Sequence, residues 1–278
     1  MKKTSVVFMI LLLIFNLMLL KGAFAQTYLD LFVKDIKVSK TIIFEDDSFD
    51  VLVKLGVKGE WEEIKESPEV IVSLFWDIPS RFTLIDSKII TVDGKNVTIK
   101  FSVNLEKKDF ISESMDLTGD RYLVAEVDSG HDLPEINEKN NVFKEKIHIF
   151  SKKSTVIDLW IGKKTALIND KEYKLDVPPI IKDGRTLVPI RFIAEGFGGE
   201  VEWDGEEKKI TIEIGKTTIV MWIGKKTALI NDKEYKLDVP PIIKDGRTLV
   251  PIRFIAEGFG SYVFWFSKDK KVTIVYEG

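Results

Sequence analysis

WIGKKTALINDKEYKLDVPPIIKDGRTLVPIRFIAEGFG, residues 160–198, stands in the chain a second time, letter for letter, at residues 222–260. A fixed offset of 62 residues over so long a stretch marks an internal repeat. The unit exceeds one layer of a helical solenoid, so each copy reads as a small α+β module. Val156 to Ile161 and Thr165 to Ile168 read as strands around a turn containing Gly162. Asn169-Asp170 turns the chain into a strand at Glu172 to Leu175, and Pro178-Pro179 then breaks regular structure. Asp183-Gly184 is a turn before extended Arg185 to Val188.

From Pro189 the period changes. Ile190, Ile193, Ala194 and Phe197 fall on one face of a short helix. Pro189 suits its first position and Gly198 the residue after its end. A helix of two turns does not persist alone in water, so it must pack on a sheet. Val201 and Trp203 alternate with acids, and Asp204-Gly205 leads into Ile210, Ile212 and Ile214, which alternate with Thr211 and Glu213. The expectation is two copies of an antiparallel sheet packed on one short helix, at residues 154–215 and 216–278.

Upstream, residues 27–150 read as all-β. The alternations Val51, Val53, Leu55 and Ile99, Phe101, Val103 have the period of half-buried strands. Further strands fall near Leu29–Val38, Val70–Trp76, Phe82–Ile85, Tyr122–Val127 and Val142–Phe150, with turns at Asp93-Gly94 and Ser129-Gly130. That number of short strands predicts an immunoglobulin-like sandwich. The fold class is thus mostly β with α+β modules. At the start, Lys2 and Lys3 precede an apolar run from Val6 to Leu20, followed by Ala23-Phe24-Ala25. This is the pattern of a secretory signal peptide over residues 1–25. The run is shorter than the roughly 20 residues of a membrane span. The expected mature chain begins at Gln26, has no integral span, and is secreted or held in the cell envelope.

Two resemblances attach to these residues. Leu29-Asp30-Leu31 and AEVDSGHDLPEINEKNN (residues 125–141) resemble the cell-adhesion-related bacterial domain, the CARDB family. That family has an Asn-x-Gly after its second strand, where this chain has Gly56-Val57-Lys58-Gly59. The run DVPPIIKDGRTLVPIRFIAEGFG, with VEWD and KKITI after it, is similar to the copper amine oxidase-like N-terminal domain, the stalk module. The resemblance covers nearly all of residues 154–278. It implies a sheet around one helix on exported bacterial proteins, often in tandem, as an accessory domain distant from oxidase chemistry.

Candidate chemistry is sparse. With 278 residues, 45% hydrophobic and 31% charged, the chain can bury a real core. A net charge of −3 provides no basic field, so no nucleic-acid partner is expected. Without cysteine there is no disulfide or thiolate site. Copper(II) favours several nitrogen donors. Only His131 and His148 are present, both outside the repeats, so no copper, other metal, cofactor or oxidase activity is expected. Asp128, Asp132, Glu135, Glu138, Asn140 and Asn141 offer oxygens to calcium or cap turns; their spacing is not that of an EF-hand loop. Glu195 with Glu257, and Asp204 with Glu206, read as solvated positions rather than catalytic pairs. Arg185 and Arg247 bind an anion or hold carbonyls and carboxylates of their own module. No catalytic residue is assigned.

The copies diverge on one strand. Glu200-Val201-Glu202-Trp203-Asp204 becomes Tyr262-Val263-Phe264-Trp265-Phe266. Val and Trp keep their face, while three acids on the other become three aromatics, and Glu213 becomes Val275 in the same phase. Tyr262, Phe264 and Phe266 are therefore the candidate binding residues, or else a face covered within the chain. Aromatic strips suit sugars and protein contacts alike. The expected function is a secreted or envelope binding or spacer protein, with cell-wall polysaccharide or a surface protein as partner. The alternative is an accessory subunit or non-catalytic part of an exported hydrolase system.

Overall fold

The computed structural model describes residues 29–59, 67–77, 83–93, 96–106, 116–129 and 135–278. The leader, His131 and Asp132 lie outside them. The described residues are mostly β, with two short helices. The chain divides into two compact units, residues 1–152 and 153–278.

The first unit is a two-sheet sandwich. Strands β1 (Leu29–Val38), β3 (Ser48–Gly59) and β6 (Thr98–Asn104) form one sheet in the order β1-β3-β6. The second holds β2 (Ile43–Phe44), β4 (Glu69–Trp76), β5 (Leu84–Thr91), β7 (Gly119–Val127) and β8 (Val142–Phe150), in the order β2-β8-β7-β4-β5. All pairings are antiparallel except β2 with β8. Leu31, Val51, Val53 and Phe101 meet Val72, Leu74, Trp76 and Leu123 in one core. β5 continues well past the expected Phe82–Ile85. It is an edge strand that pairs only with β4 and is open along most of its length, Ile89 included, so its sequence lacks the alternation of a half-buried strand.

The acidic loop packs on β1. Glu135 Oε1 accepts the Leu31 N–H at 3.2 Å, Glu138 Oε1 accepts the Glu135 N–H at 2.9 Å, and Asn140 Nδ2 donates to Asp30 at 2.8 Å. Only the Glu138 bond, to a backbone N–H three residues away, is a local turn cap; the Glu135 and Asn140 bonds tie the loop to β1. Burial pushes the Glu135 carboxyl up to about 7. Among the described residues, no group of three or more acids or histidines is placed to hold a metal ion.

The second unit contains β9 (Thr155–Trp160), β10 (Thr165–Ile168), β11 (Lys171–Lys174), β12 (Ile180–Lys182), β13 (Arg185–Pro189), α1 (Ile190–Gly196), β14 (Glu200–Asp204) and β15 (Lys209–Ile214). The second copy repeats the series as β16 (Thr217–Trp222), β17 (Thr227–Ile230), β18 (Lys233–Lys236), β19 (Ile242–Lys244), β20 (Arg247–Pro251), α2 (Ile252–Gly258), β21 (Tyr262–Phe266) and β22 (Lys271–Tyr276). Local chemistry sets the hairpins. Asn169 and Asp170 take φ of 47° and 63°, the left-handed pair that a two-residue turn between β10 and β11 requires. The Asn169 side chain also accepts the Val156 N–H at 2.8 Å. Pro189 ends β13 and caps α1 rather than opening it, and Gly198, at φ 73°, closes the helix as expected.

The sheets do not follow the repeat. Their orders are β11-β10-β9-β22-β21, β14-β15-β16-β17-β18 and β12-β13-β20-β19. β9 of the first copy pairs with β22 of the second from Thr155 opposite Tyr276 to Trp160 opposite Lys271. β15 of the first copy pairs with β16 of the second. Each five-stranded sheet thus takes three strands from one copy and two from the other, and the repeat boundary at 215/216 runs through hydrogen-bonded sheet. Between the copies, Val188 pairs with its own counterpart Val250, so a pseudo-twofold axis passes there. Ile157, Ile193 and Ile212 share one core with Ile219, Ile255 and Ile274. Two-turn helices and short strands bury too little surface within one copy, and pooling both copies makes one core.

Candidate functional site

The pseudo-twofold creates two matching clefts. The first, of about 410 Å³, lies among the β12–β13 hairpin of one copy and α2, β21 and β22 of the other. Its lining includes Ile181, Arg185 and Thr186, then Pro251, Arg253, Val263 and Trp265. The second, of about 370 Å³, has Ile243, Arg247 and Thr248, then Pro189, Arg191, Val201 and Trp203. Nine of the ten lining positions carry the same residue in both; Val272 stands where the other has Ile210. Pairing of β13 with β20 brings each hairpin to the helix of the other copy. No cleft could form within one copy.

The tryptophans reach the clefts through strand alternation. In β21, Val263 and Trp265 point to the cleft side, opposite Ile274 and Val272. Each tryptophan is 44% exposed. Arg185 Nε donates to Asp238 at 2.7 Å, and Arg247 Nε donates to Asp176 at 2.7 Å. The carboxylate comes from the opposite copy in both pairs, not from the arginine's own module, and Arg185 Nη1 also donates to its own Gly184 carbonyl at 3.4 Å. The Arg185 bond holds the Asp238 carboxyl below its usual range. Arg253 and Glu257 lie 3.9 Å apart, both well exposed. The charged side chains lining the clefts are all arginines.

Tyr262, Phe264 and Phe266 point to the other side of β21. Tyr262, at the sheet edge, is 37% exposed, while Phe264 and Phe266 are half-buried. The Lys271 ammonium stands 5.0 Å from the Phe266 ring centre and 3.1 Å from Asp158, which also accepts the Thr273 hydroxyl. On β22, Thr273 and Val275 are only 2% and 0% exposed, so this side is closed to solvent along that strand. Their counterparts Thr211 and Glu213 are open in part or fully. The acids Glu200, Glu202 and Asp204 occupy the equivalent row, and Asp204 caps its turn by accepting the Glu206 and Glu207 N–H groups at 2.9 and 3.0 Å.

The expected binding residues Tyr262, Phe264 and Phe266 lie on the side of β21 away from the cleft, while the Val and Trp kept in both copies face it. Other candidates are dispersed. Glu195 and Glu257 are exposed on separate helices, and His148 Nδ1 lies 2.7 Å from Asp120 in the sandwich.

The sequence model of the copper amine oxidase N-terminal domain matches residues 140–212 and 168–274. The second match contains every residue lining both clefts. The matched domain is the non-catalytic one of those enzymes, and no catalytic domain is matched. A stretch of 75 residues is 32% identical to the primary amine oxidase of Klebsiella aerogenes; it is 27% of this chain and 10% of that enzyme. The chain therefore spans about a tenth of that relative's length. Among solved structures, the CARDB domain of a Pyrococcus furiosus protein, in complex with di-metal ions, is similar over 44% of this chain and 94% of that one, at 18% identity and a TM-score of 0.33. A β-glucosidase of Erythrobacter marinus is similar over 44% of this chain and 15% of its own, at 14% identity and a TM-score of 0.32. Both resemblances read from the sequence recur in these comparisons. Among the described residues, no helix is long and apolar enough to cross a membrane.

Proposed function

We propose that the chain is an exported, non-catalytic binding protein of the cell envelope, with cell-wall polysaccharide or a surface protein as its partner. The observation that carries this reading is the pair of clefts, each with a 44%-exposed tryptophan beside arginines. A large aromatic ring left that open contributes little to a core and much to a contact surface. The leader over residues 1–25, an expectation from sequence, supports export. The matched family adds support as a non-catalytic domain. The test is retention of the mature chain on purified cell walls, with and without soluble glycans as competitors. Retention that the glycans displace supports wall polysaccharide, and retention that protease treatment of the walls removes supports a surface protein. No retention on either overturns the reading.

A further inference from the structure

We propose that the two clefts are equivalent sites for an anionic polysaccharide, Trp203 and Trp265 stacking on its sugar rings and the adjacent arginines pairing its acid groups, so that one chain grips the polymer at two points. The inference rests on the binding reading above and specifies the surface and the ligand class. Three observations lead to it. The first is divergence between the copies. Along Glu200–Asp204 and Tyr262–Phe266, all three residues facing away from the cleft differ, and both residues facing into it are the same. The fold does not require the aromatic ring for burial, since each tryptophan is 44% exposed. Val201 and Val263 also pack against the shared core, but the tryptophans are not needed there for burial, so their retention follows the cleft.

The second is charge. Arg185 and Arg253 line one cleft, Arg247 and Arg191 the other, and no acid lines either. A flat ring beside guanidinium groups suits a sugar that carries a carboxylate or phosphate, because the guanidinium fork pairs both. Arg185 and Arg247 are held in place by Asp238 and Asp176 through Nε, which orients the fork before a ligand arrives. The third is duplication. Both clefts belong to one unit with one shared core, so their separation is set by the fold. Two near-identical sites at a set separation fit a ligand that presents the same group repeatedly. A polymer does so, and linkage of the two sites raises affinity without any new contact.

The test uses the full mature chain. Binding of polygalacturonate, of a phosphorylated mannan, and of their neutral counterparts (the full methyl ester and unphosphorylated mannan) is followed by calorimetry and tryptophan fluorescence. The expected result is binding of at least one anionic polymer and of neither neutral one, and the tighter of the two anionic probes names the acid group. Trp203→Ala and Trp265→Ala should each lower the apparent affinity for that polymer by roughly 10-fold or more, as loss of one of two linked sites does, and the double variant should abolish it. A short oligomer of the same sugar should bind at two sites per wild-type chain and at one in either single variant. If an alanine variant fails to fold, Arg191→Gln and Arg253→Gln, exposed positions on the two helices, replace it with the same expectation of direction. Equal binding of neutral and anionic polymers, absence of binding to either anionic polymer, or affinity indifferent to all these variants overturns the proposal. Cell walls retained equally by wild type and the double tryptophan variant would leave the envelope reading standing and remove the clefts from it. Anionic polymer bound without retention on walls would do the reverse.

Discussion

The two five-stranded sheets of the repeat unit have like architecture and unlike outer sides. On the sheet ending in β14, the outer row is Glu200, Glu202 and Asp204 beside open Thr211 and Glu213. On the sheet ending in β21 it is Tyr262, Phe264 and Phe266 beside closed Thr273 and Val275. Their inner sides are nearly the same. The outer side was free to change because the shared core does not depend on it. The inner side carries both the core and the clefts, and it stayed constant.

The largest expected effect comes from separating the copies. A chain holding residues 154–216 alone lacks the strands that complete all three of its sheets. It should fold only as a dimer in which β9 of one molecule pairs with β15 of the other, and its melting temperature should rise with concentration. Sedimentation equilibrium with calorimetry measures both. A monomer with a sharp, concentration-independent melt would break the account of a shared core.

Exchange of the outer rows sharpens the comparison next. Tyr262→Glu, Phe264→Glu and Phe266→Asp together place acids beside buried Thr273 and Val275. Stability in urea should fall by about 2 kcal/mol, since charges on a closed side lose solvation that Lys271, beside position 266, offsets only in part. The reciprocal change, Glu200→Tyr, Glu202→Phe and Asp204→Phe, should lower stability much less, chiefly through the lost Asp204 cap. It should instead promote self-association, visible by light scattering, through the new apolar patch. Equal losses of stability in the two variants would show that the two outer sides are equivalent after all.

In the sandwich, Glu135 gives a pH signature that neither repeat sheet has. Its carboxyl is raised from 4.5 to about 7 by burial, so the folded chain binds a proton there that the unfolded chain has released. Stability attached to this group is present below about pH 4.5 and is lost as pH rises through about 7. The loss should be about 1–2 kcal/mol after allowance for partial solvent screening. Denaturation curves from pH 5 to 8 on Glu135→Gln should lack this slope. A wild-type slope that Gln leaves unchanged would assign it to another group.

The smallest effect belongs to the ion pairs between copies. Arg185–Asp238 and Arg247–Asp176 are largely exposed. Asp238→Asn should move the melting temperature by only about a degree or two, and less in high salt. A larger drop would mean that these pairs hold the copies together more than the core does.

Much of this fold was legible from residues. Asn169-Asp170 and Asp183-Gly184 announced their hairpins because few other residues accept positive φ. Gly198 announced the helix end for the same reason. Alternation in Val51–Leu55 and Ile99–Val103 announced sandwich strands because one side of each is buried. Edge strand β5 was foreshortened because five of its eight residues are exposed and, although Ile85 and Ile90 pack against the core, no regular alternation remains to read. The clefts were not legible at all. Arg185 is separated from Trp265 by most of the repeat unit, and nothing local states that a hairpin of one copy meets the helix of the other.

By itself, the sequence determined the repeat, the turn positions, the short helix, the mostly-β character and the outer row that diverged. These are properties of neighbouring residues, dictated by backbone sterics and by the period of burial. Which strands share a sheet was set only in the folded chain. Two copies with identical strand sequences can pair within themselves or with each other, and local preferences are the same in either case. The choice falls to the burial of Ile157, Ile212, Ile219 and Ile274 in one common core, which exists only when β9 meets β22 and β15 meets β16.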